Sequence, residues 1–302
     1  MQPRGALLGQ GKPLTGGLRP YLTLLRPPNL VTAAADILAG FALAGLANPG
    51  ALALLVPASV CLYGGGVVLN DVFDARLDAV ERPERPIPSG AAPLAAAAGL
   101  GAGLLLLGVL LAFLASPASG AIALATAACA VLYDAAGKHH PVLGPLNMGA
   151  CRGLNLLLGV SAAPALLGER WPLALIPLAY IAAVTLVSGG EVNGGRRGGN
   201  LAALAVVLLV LLALAALPLS YGTTVWGLPF LALLAWRVLP PVRLAALDPA
   251  PLNARRAVKA GVLSLIVLDA VFAAAFAGPL FGLLVLSLLV LAALVARAFA
   301  VT

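Results

Sequence analysis

The sequence predicts an all-α protein, a polytopic transmembrane bundle of nine or ten helices, and three observations carry that expectation. Hydrophobic residues fill 62% of the 302 positions and charged residues only 10%, with a mean hydropathy of +1.05, whereas a soluble domain carries about a quarter charged residues. Apolar runs of bilayer-spanning length recur along the whole chain. The lysines and arginines between them gather on alternate loops, the pattern of a chain threaded repeatedly through a membrane.

In chain order the runs lie near 30–48, 51–70, 92–115, 118–133, 142–163, 172–190, 201–217, 224–240, 257–277 and 279–299. Only Gly278 and Pro279 separate the last two, which leaves the count at nine or ten. With the N-terminus inside, the inside segments hold Arg4, Lys12, Arg19 and Arg26, then Arg76, Arg82 and Arg85, then Lys138, then Arg196 and Arg197, then Arg243, Arg255, Arg256 and Lys259. The opposite side holds only Glu169 and Arg170. The net charge of +7 is therefore topological, and nucleic acid is not an expected partner. Residues 1–28 are expected to be a cytoplasmic segment of a single domain spanning 1–302. No cleavable signal peptide is expected, the first spanning helix serving for insertion. Cys61, Cys129 and Cys151 fall in apolar runs without metal-ligand spacing and read as small buried hydrophobes.

Against this background one stretch stands apart. Leu69–Gly90, LNDVFDARLDAVERPERPIPSG, packs five acidic and three basic residues together. Asn70, Asp74 and Asp78 recur every four residues, which puts them on one helical face, with Asp71 and Glu81 close by. Such a set of hard oxygen donors suits Mg²⁺ and, through it, a diphosphate. The next inside loop carries Asp134 and Lys138 one turn apart; Asp134 is either a metal ligand or the partner of Lys138, and Lys138 reads as a point charge for phosphate. The third, Ser188–Asn200, offers Glu191 and Asn193 as oxygen donors and Arg196 and Arg197 as anion donors among six glycines. Its bland reading is a flexible loop with topogenic arginines.

A few polar residues lie inside the apolar runs, where each charge costs about 2.5–3.5 kcal/mol on insertion scales. Asn29 and Asp36 share a face of the first run, and Arg152 and Asn155 share a face of the fifth. They either line a substrate cavity or neutralise one another, as Asp36 with Arg152 would. Asp269 stands alone in the ninth run without an evident role.

These residues resemble the UbiA-type intramembrane aromatic prenyltransferases. The resemblance rests on Asn70-x-x-x-Asp74-x-x-x-Asp78, on Arg82 and the run Arg85-Pro86-Ile87-Pro88-Ser89-Gly90, on Arg26-Pro27, and on Tyr133-Asp134-x-x-x-Lys138, and it covers residue 26 to about 200. The second acidic motif departs from the family pattern: Glu191, Gly195 and Gly199 stand where two or three aspartates are usual, which puts a second metal site in doubt. With the VNGGRR stretch, this is similar to a divergent bacterial branch called EboC-like.

The resemblance implies a polyprenyl diphosphate with its tail among the helices and its diphosphate at the acidic rim, a small aromatic or other acceptor, Mg²⁺, and membrane lipid as surroundings. It implies metal ligation by Asn70, Asp71, Asp74, Asp78, Glu191 and Asn193. Asp74, Asp78 and Lys138 are the expected catalytic residues, and Asn29, Asp36, Arg82, Arg85, Asp134, Arg152, Asn155 and Arg196 are expected to bind substrate. The active site is expected on the cytoplasmic side of a bacterial plasma membrane. Cyclisation of the isoprenoid and transfer to a non-aromatic acceptor are the alternative chemistries. Transport is a different class, disfavoured because the acids cluster at one side instead of at the midplane.

Overall fold

The computed structural model describes residues 17–138, 140–191 and 194–299, so Arg4, Lys12 and Asn193 lie outside the described residues. The helices are α1 (Arg19–Leu25), α2 (Pro27–Leu43), α3 (Pro49–Phe73), α4 (Ala75–Glu81), α5 (Leu94–Ala115), α6 (Pro117–Leu132), α7 (Leu143–Val160), α8 (Leu167–Arg170), α9 (Leu175–Ser188), α10 (Arg197–Ala215), α11 (Leu217–Tyr221), α12 (Gly227–Leu247), α13 (Pro251–Leu263), α14 (Leu265–Ala277) and α15 (Pro279–Val295). A π-helical turn, Tyr133–Gly137, extends α6.

A helix stands on each of the ten expected runs. Seven helical stretches among the described residues are long and apolar enough to cross a membrane, and Pro27–Leu43 and Pro279–Val295 are apolar but shorter. The tenth, α7, is diluted by Asn147, Arg152 and Asn155. Proline in the first turn begins α2, α3, α6, α13 and α15, where its missing N–H goes unneeded. Side-chain caps help: Asn48 Oδ1 accepts from the Ala51 N–H at 3.0 Å, and Ser116 Oγ accepts from the Ser119 N–H at 3.0 Å. The first run ends earlier than its apolar composition suggests, because Gly45 turns back at φ 70°.

At the centre stands α14, whose residues Leu265 to Ala275 are all buried against α2, α12 and α15. The outer helices keep leucines such as Leu106, Leu209 and Leu283 exposed, as lipid-facing surfaces do. The contact that shapes the site is between α2 and α7. A Cβ on Gly40 would lie 2.3 Å from the Leu156 carbonyl oxygen, and one on Gly159 would lie 2.5 Å from that of Ile37. Only glycine permits this approach, and one turn from it the same two helices carry Asp36 and Asn155.

Candidate active site

The acidic ladder keeps the geometry its spacing predicts, although α3 ends and α4 begins at Asp74. The Asp74 N–H donates to Asn70 O (3.0 Å), that of Asp78 to Asp74 O (2.8 Å) and that of Arg82 to Asp78 O (2.8 Å). Helical register thus runs through the junction, and the three side chains share a face.

Asp71, Asp74, Asp78 and the nearby Asp134 each have a cationic or amide partner. Arg26 Nη2 meets Asp71 Oδ1 at 2.8 Å, and Arg85 Nη1 bridges Asp71 (3.3 Å) and Asp78 Oδ2 (2.7 Å). Lys138 Nζ pairs with Asp74, and Asn70 Nδ2 donates to Asp134 Oδ1 at 2.7 Å. Lys138 therefore takes Asp74 as its partner, not the neighbouring Asp134. The reason is tertiary: the π-helical turn, closed by the Lys138 N–H to Tyr133 O at 2.9 Å, lies along α3, and its two polar side chains engage successive rungs of the ladder. Single π turns of this kind often mark functional sites.

The third loop approaches the first. Glu191 is half-buried, and its carbonyl oxygen accepts from Arg255 Nε at 2.9 Å. Burial pushes its carboxyl above the ordinary range, while the charges of Arg82 and Arg255 pull it back. Arg196 is exposed at the start of α10, and Asn193 lies outside the described residues. Among the described residues no three of His, Cys, Asp and Glu gather as a metal cage. Mg²⁺, however, is commonly held by one or two carboxylates together with substrate phosphates. Asn70, Asp74 and Asp78, on successive turns, are an oxygen set of that kind.

From this rim a cavity of about 230 Å³ descends between α3, α6 and α7. Arg26, Asn70, Tyr133 and Asp134 line its mouth, Leu62, Val67, Ala130 and Met148 its wall, and Ser59, Tyr63, Arg152 and Asn155 its floor. Ser59 is eleven residues from Asn70 along α3, so the floor lies about 16 Å below the mouth. Arg152 Nη1 pairs with Asp36 Oδ2 at 2.8 Å, Arg152 Nη2 donates to Thr32 Oγ1 at 2.7 Å, and Asn155 Nδ2 donates to Asp36 Oδ2 at 2.8 Å. Cavity lining and mutual neutralisation are thus both realised by Arg152. Asn29 is buried one turn above, its carbonyl oxygen accepting from Thr32 at 2.7 Å. Sequence reasoning missed Arg26, Ser59 and Tyr63 as site residues. Arg26 had a signal in its Arg-Pro pair; the other two had none.

A profile described as the UbiA prenyltransferase family matches residues 31–190, more than half of the chain. The chain belongs to the UbiA prenyltransferase family. The match runs from within α2 through α9, hence over the ladder, the π-helical turn and the four floor residues. Among relatives, digeranylgeranylglyceryl phosphate synthase of Ignicoccus hospitalis is 34% identical over 199 residues, covering 64% of this chain and 65% of that one. The chain therefore spans just under two thirds of that relative's length. The synthase of the same name from Methanopyrus kandleri is 34% identical over 232 residues, covering 72% and 83%. A UbiA homologue from Archaeoglobus fulgidus, solved bound to GPP and Mg²⁺, has a TM-score of 0.65 at 13% identity, covering 89% of this chain and 99% of that one. At that identity the likeness is one of fold. This UbiA-family chain is accordingly an integral, multi-pass membrane protein; the relatives named here are archaeal, not bacterial.

Proposed function

We propose that the protein transfers a prenyl group from an allylic diphosphate to a small acceptor within the membrane, on the cytoplasmic side, releasing pyrophosphate. The observation that carries this reading is the rim, where Arg26, Arg85 and Lys138 are held by Asp71, Asp78 and Asp74 beside an apolar-walled cavity whose mouth Arg26 lines. The diphosphate sits at that mouth and the prenyl chain runs down the wall. Arg26, Arg85 and Lys138 turn from their carboxylates to phosphate oxygens. Arg82, near Glu191, adds a fourth positive charge. Mg²⁺, held by Asn70, Asp74 and Asp78, supplies further neutralisation of the leaving group when bound.

With that charge offset, the C–O bond breaks heterolytically, the electron pair leaving with pyrophosphate. The allylic cation that remains is captured by an oxygen or carbon nucleophile of the acceptor, which then loses a proton. Leu62, Val67, Ala130 and Met148 keep water from the cation. The relatives' names favour a glyceryl phosphate acceptor over an aromatic one.

The test is to incubate purified protein with Mg²⁺, geranyl, farnesyl or geranylgeranyl diphosphate, and either a glyceryl phosphate ether or an aromatic acid, then analyse extracted lipids by mass spectrometry. A Mg²⁺-dependent prenylated product is expected. Absence of diphosphate cleavage with every donor would overturn the reading.

A further inference from the structure

The depth of the cavity is set by its floor, and the floor is fixed. Arg152, Asn155, Ser59 and Tyr63 form it. Arg152 is held from behind by Asp36 Oδ2 at 2.8 Å and Thr32 Oγ1 at 2.7 Å, and its guanidinium lies 4.7 Å over the Tyr63 ring. Asn155 Nδ2 donates to the Ala33 carbonyl oxygen at 3.0 Å, and Asn155 Oδ1 accepts from Ser59 Oγ at 2.7 Å. These bonds join α2, α3 and α7, so a ligand could pass the floor only by breaking a buried ion pair. Higher up, a Cβ on Gly66 would lie 3.3 Å from the Ala130 Cβ. There α3 and α6 close on each other and leave no gap through which a chain could turn aside.

We propose that the floor is a ruler for the prenyl donor: it admits geranyl and farnesyl chains and stops geranylgeranyl, with Tyr63 setting the limit. Two measures agree. Mouth and floor are about 16 Å apart along α3, a depth that an extended farnesyl chain fills and a geranylgeranyl chain overruns. An apolar cavity of about 150 Å³ holds one benzene molecule, so a cavity of about 230 Å³ has room for a geranyl chain, a tighter fit for farnesyl and none for a longer chain. Polarity reinforces the steric limit, because methyl groups pressed onto the floor would find little apolar surface to bury against. Tyr63 sets the limit because it is the first floor residue met on the way down α3 from Asn70. Arg152 lies behind its ring, pinned by Asp36 and Thr32. The ruler rests on the prenyl-transfer reading, in which the diphosphate sits at the mouth and the chain runs down the wall.

The experiment measures binding of dimethylallyl, geranyl, farnesyl and geranylgeranyl thiolodiphosphates, in which sulfur replaces the bridging oxygen and cleavage is slow, to detergent-purified protein with Mg²⁺. Variant and wild type are compared for one chain at a time, which cancels that chain's partition into detergent. Tyr63→Ala is expected to raise geranylgeranyl affinity about tenfold relative to geranyl. Val67→Phe, which places a ring on the wall one turn above Tyr63, should lower farnesyl affinity about tenfold relative to dimethylallyl, and it decides the matter if Tyr63→Ala does not fold. Equal effects of Tyr63→Ala on geranyl and geranylgeranyl, or of Val67→Phe on dimethylallyl and farnesyl, would overturn the ruler while the prenyl-transfer reading stands. Failure of the wild type to bind any of the four chains overturns that reading and the ruler with it.

Discussion

The two ends of the cavity solve opposite electrostatic problems with the same residue types. At the rim the paired cations Arg26, Arg85 and Lys138 are 10–21% exposed, although Asp71 and Asp78 are themselves only 8% and 6% exposed, so in the proposed reaction a phosphate reaches the cations from the solvent side. At the floor, Arg152 and Asp36 are 7% and 1% exposed, and nothing from solvent can replace either. A buried pair broken by removing one partner costs about 3–5 kcal/mol, and the part-buried rim pairs lie between that and the about 0–1 kcal/mol of a fully exposed pair. In the proposed reaction the rim is where ions are traded, while the buried Arg152–Asp36 pair at the floor stays fixed and shapes the cavity. The distance from water, not the chemistry of the side chains, separates the two roles.

The largest expected effect falls on the rim. Asp74→Ala removes the central rung and the partner of Lys138, and should lower turnover about 10²-fold or more, a loss of about 3 kcal/mol, with the helices intact by circular dichroism. Near-normal turnover at saturating Mg²⁺ would remove the ladder from the chemistry. Next comes the α2–α7 contact behind the floor: Gly159→Ala forces a methyl against the Ile37 carbonyl and should destabilise the fold by about 1–3 kcal/mol, read as a fall in melting temperature. Gly159→Ala should leave affinity for geranyl thiolodiphosphate, an unreactive prenyl diphosphate, little changed, whereas Asp74→Ala should lower it.

How much of this was written in the sequence follows from the range of each interaction. The ladder was legible because its rungs are four residues apart on one helix, and the bundle was legible because every apolar run is bounded by Pro, Gly or charge. The pairing of Lys138 with Asp74 was not: a local reading offers Asp134, four residues away, and only the packing of the π-helical turn along α3 decides otherwise. Arg26 was visible in an Arg-Pro motif, but its reach to Asp71 depends on the left-handed backbone at φ 47° between α1 and α2. Asp269 was conspicuous as a lone acid, and the sequence does not show that α14 buries it at the centre of the bundle. Ser59 and Tyr63 sit in an apolar run like any core residue, and no spacing marks them.

Two smaller effects sharpen the comparison. Lys138→Met should weaken thiolodiphosphate binding about tenfold, or about 1.4 kcal/mol, and lower the melting temperature by no more than a few degrees; equal dissociation constants with a large thermal loss would make Lys138 structural. Glu191→Gln should raise the Mg²⁺ concentration for half-maximal thiolodiphosphate binding severalfold, about 1 kcal/mol. Burial raises the Glu191 carboxyl, so as pH falls it protonates before an exposed glutamate would, and its contribution to Mg²⁺ binding is present above that pH and lost below it. The Gln variant should lack this part of the pH dependence; an unchanged profile would leave Glu191 without a metal role.

The most direct test of the central claim, that the rim binds a prenyl diphosphate through Mg²⁺, is calorimetric titration of geranyl thiolodiphosphate into the purified wild type with Mg²⁺ and with EDTA. Saturable binding that needs Mg²⁺ and is lost in Asp74→Ala is the result predicted. Binding of equal strength in EDTA, or binding that survives Asp74→Ala unchanged, would contradict it.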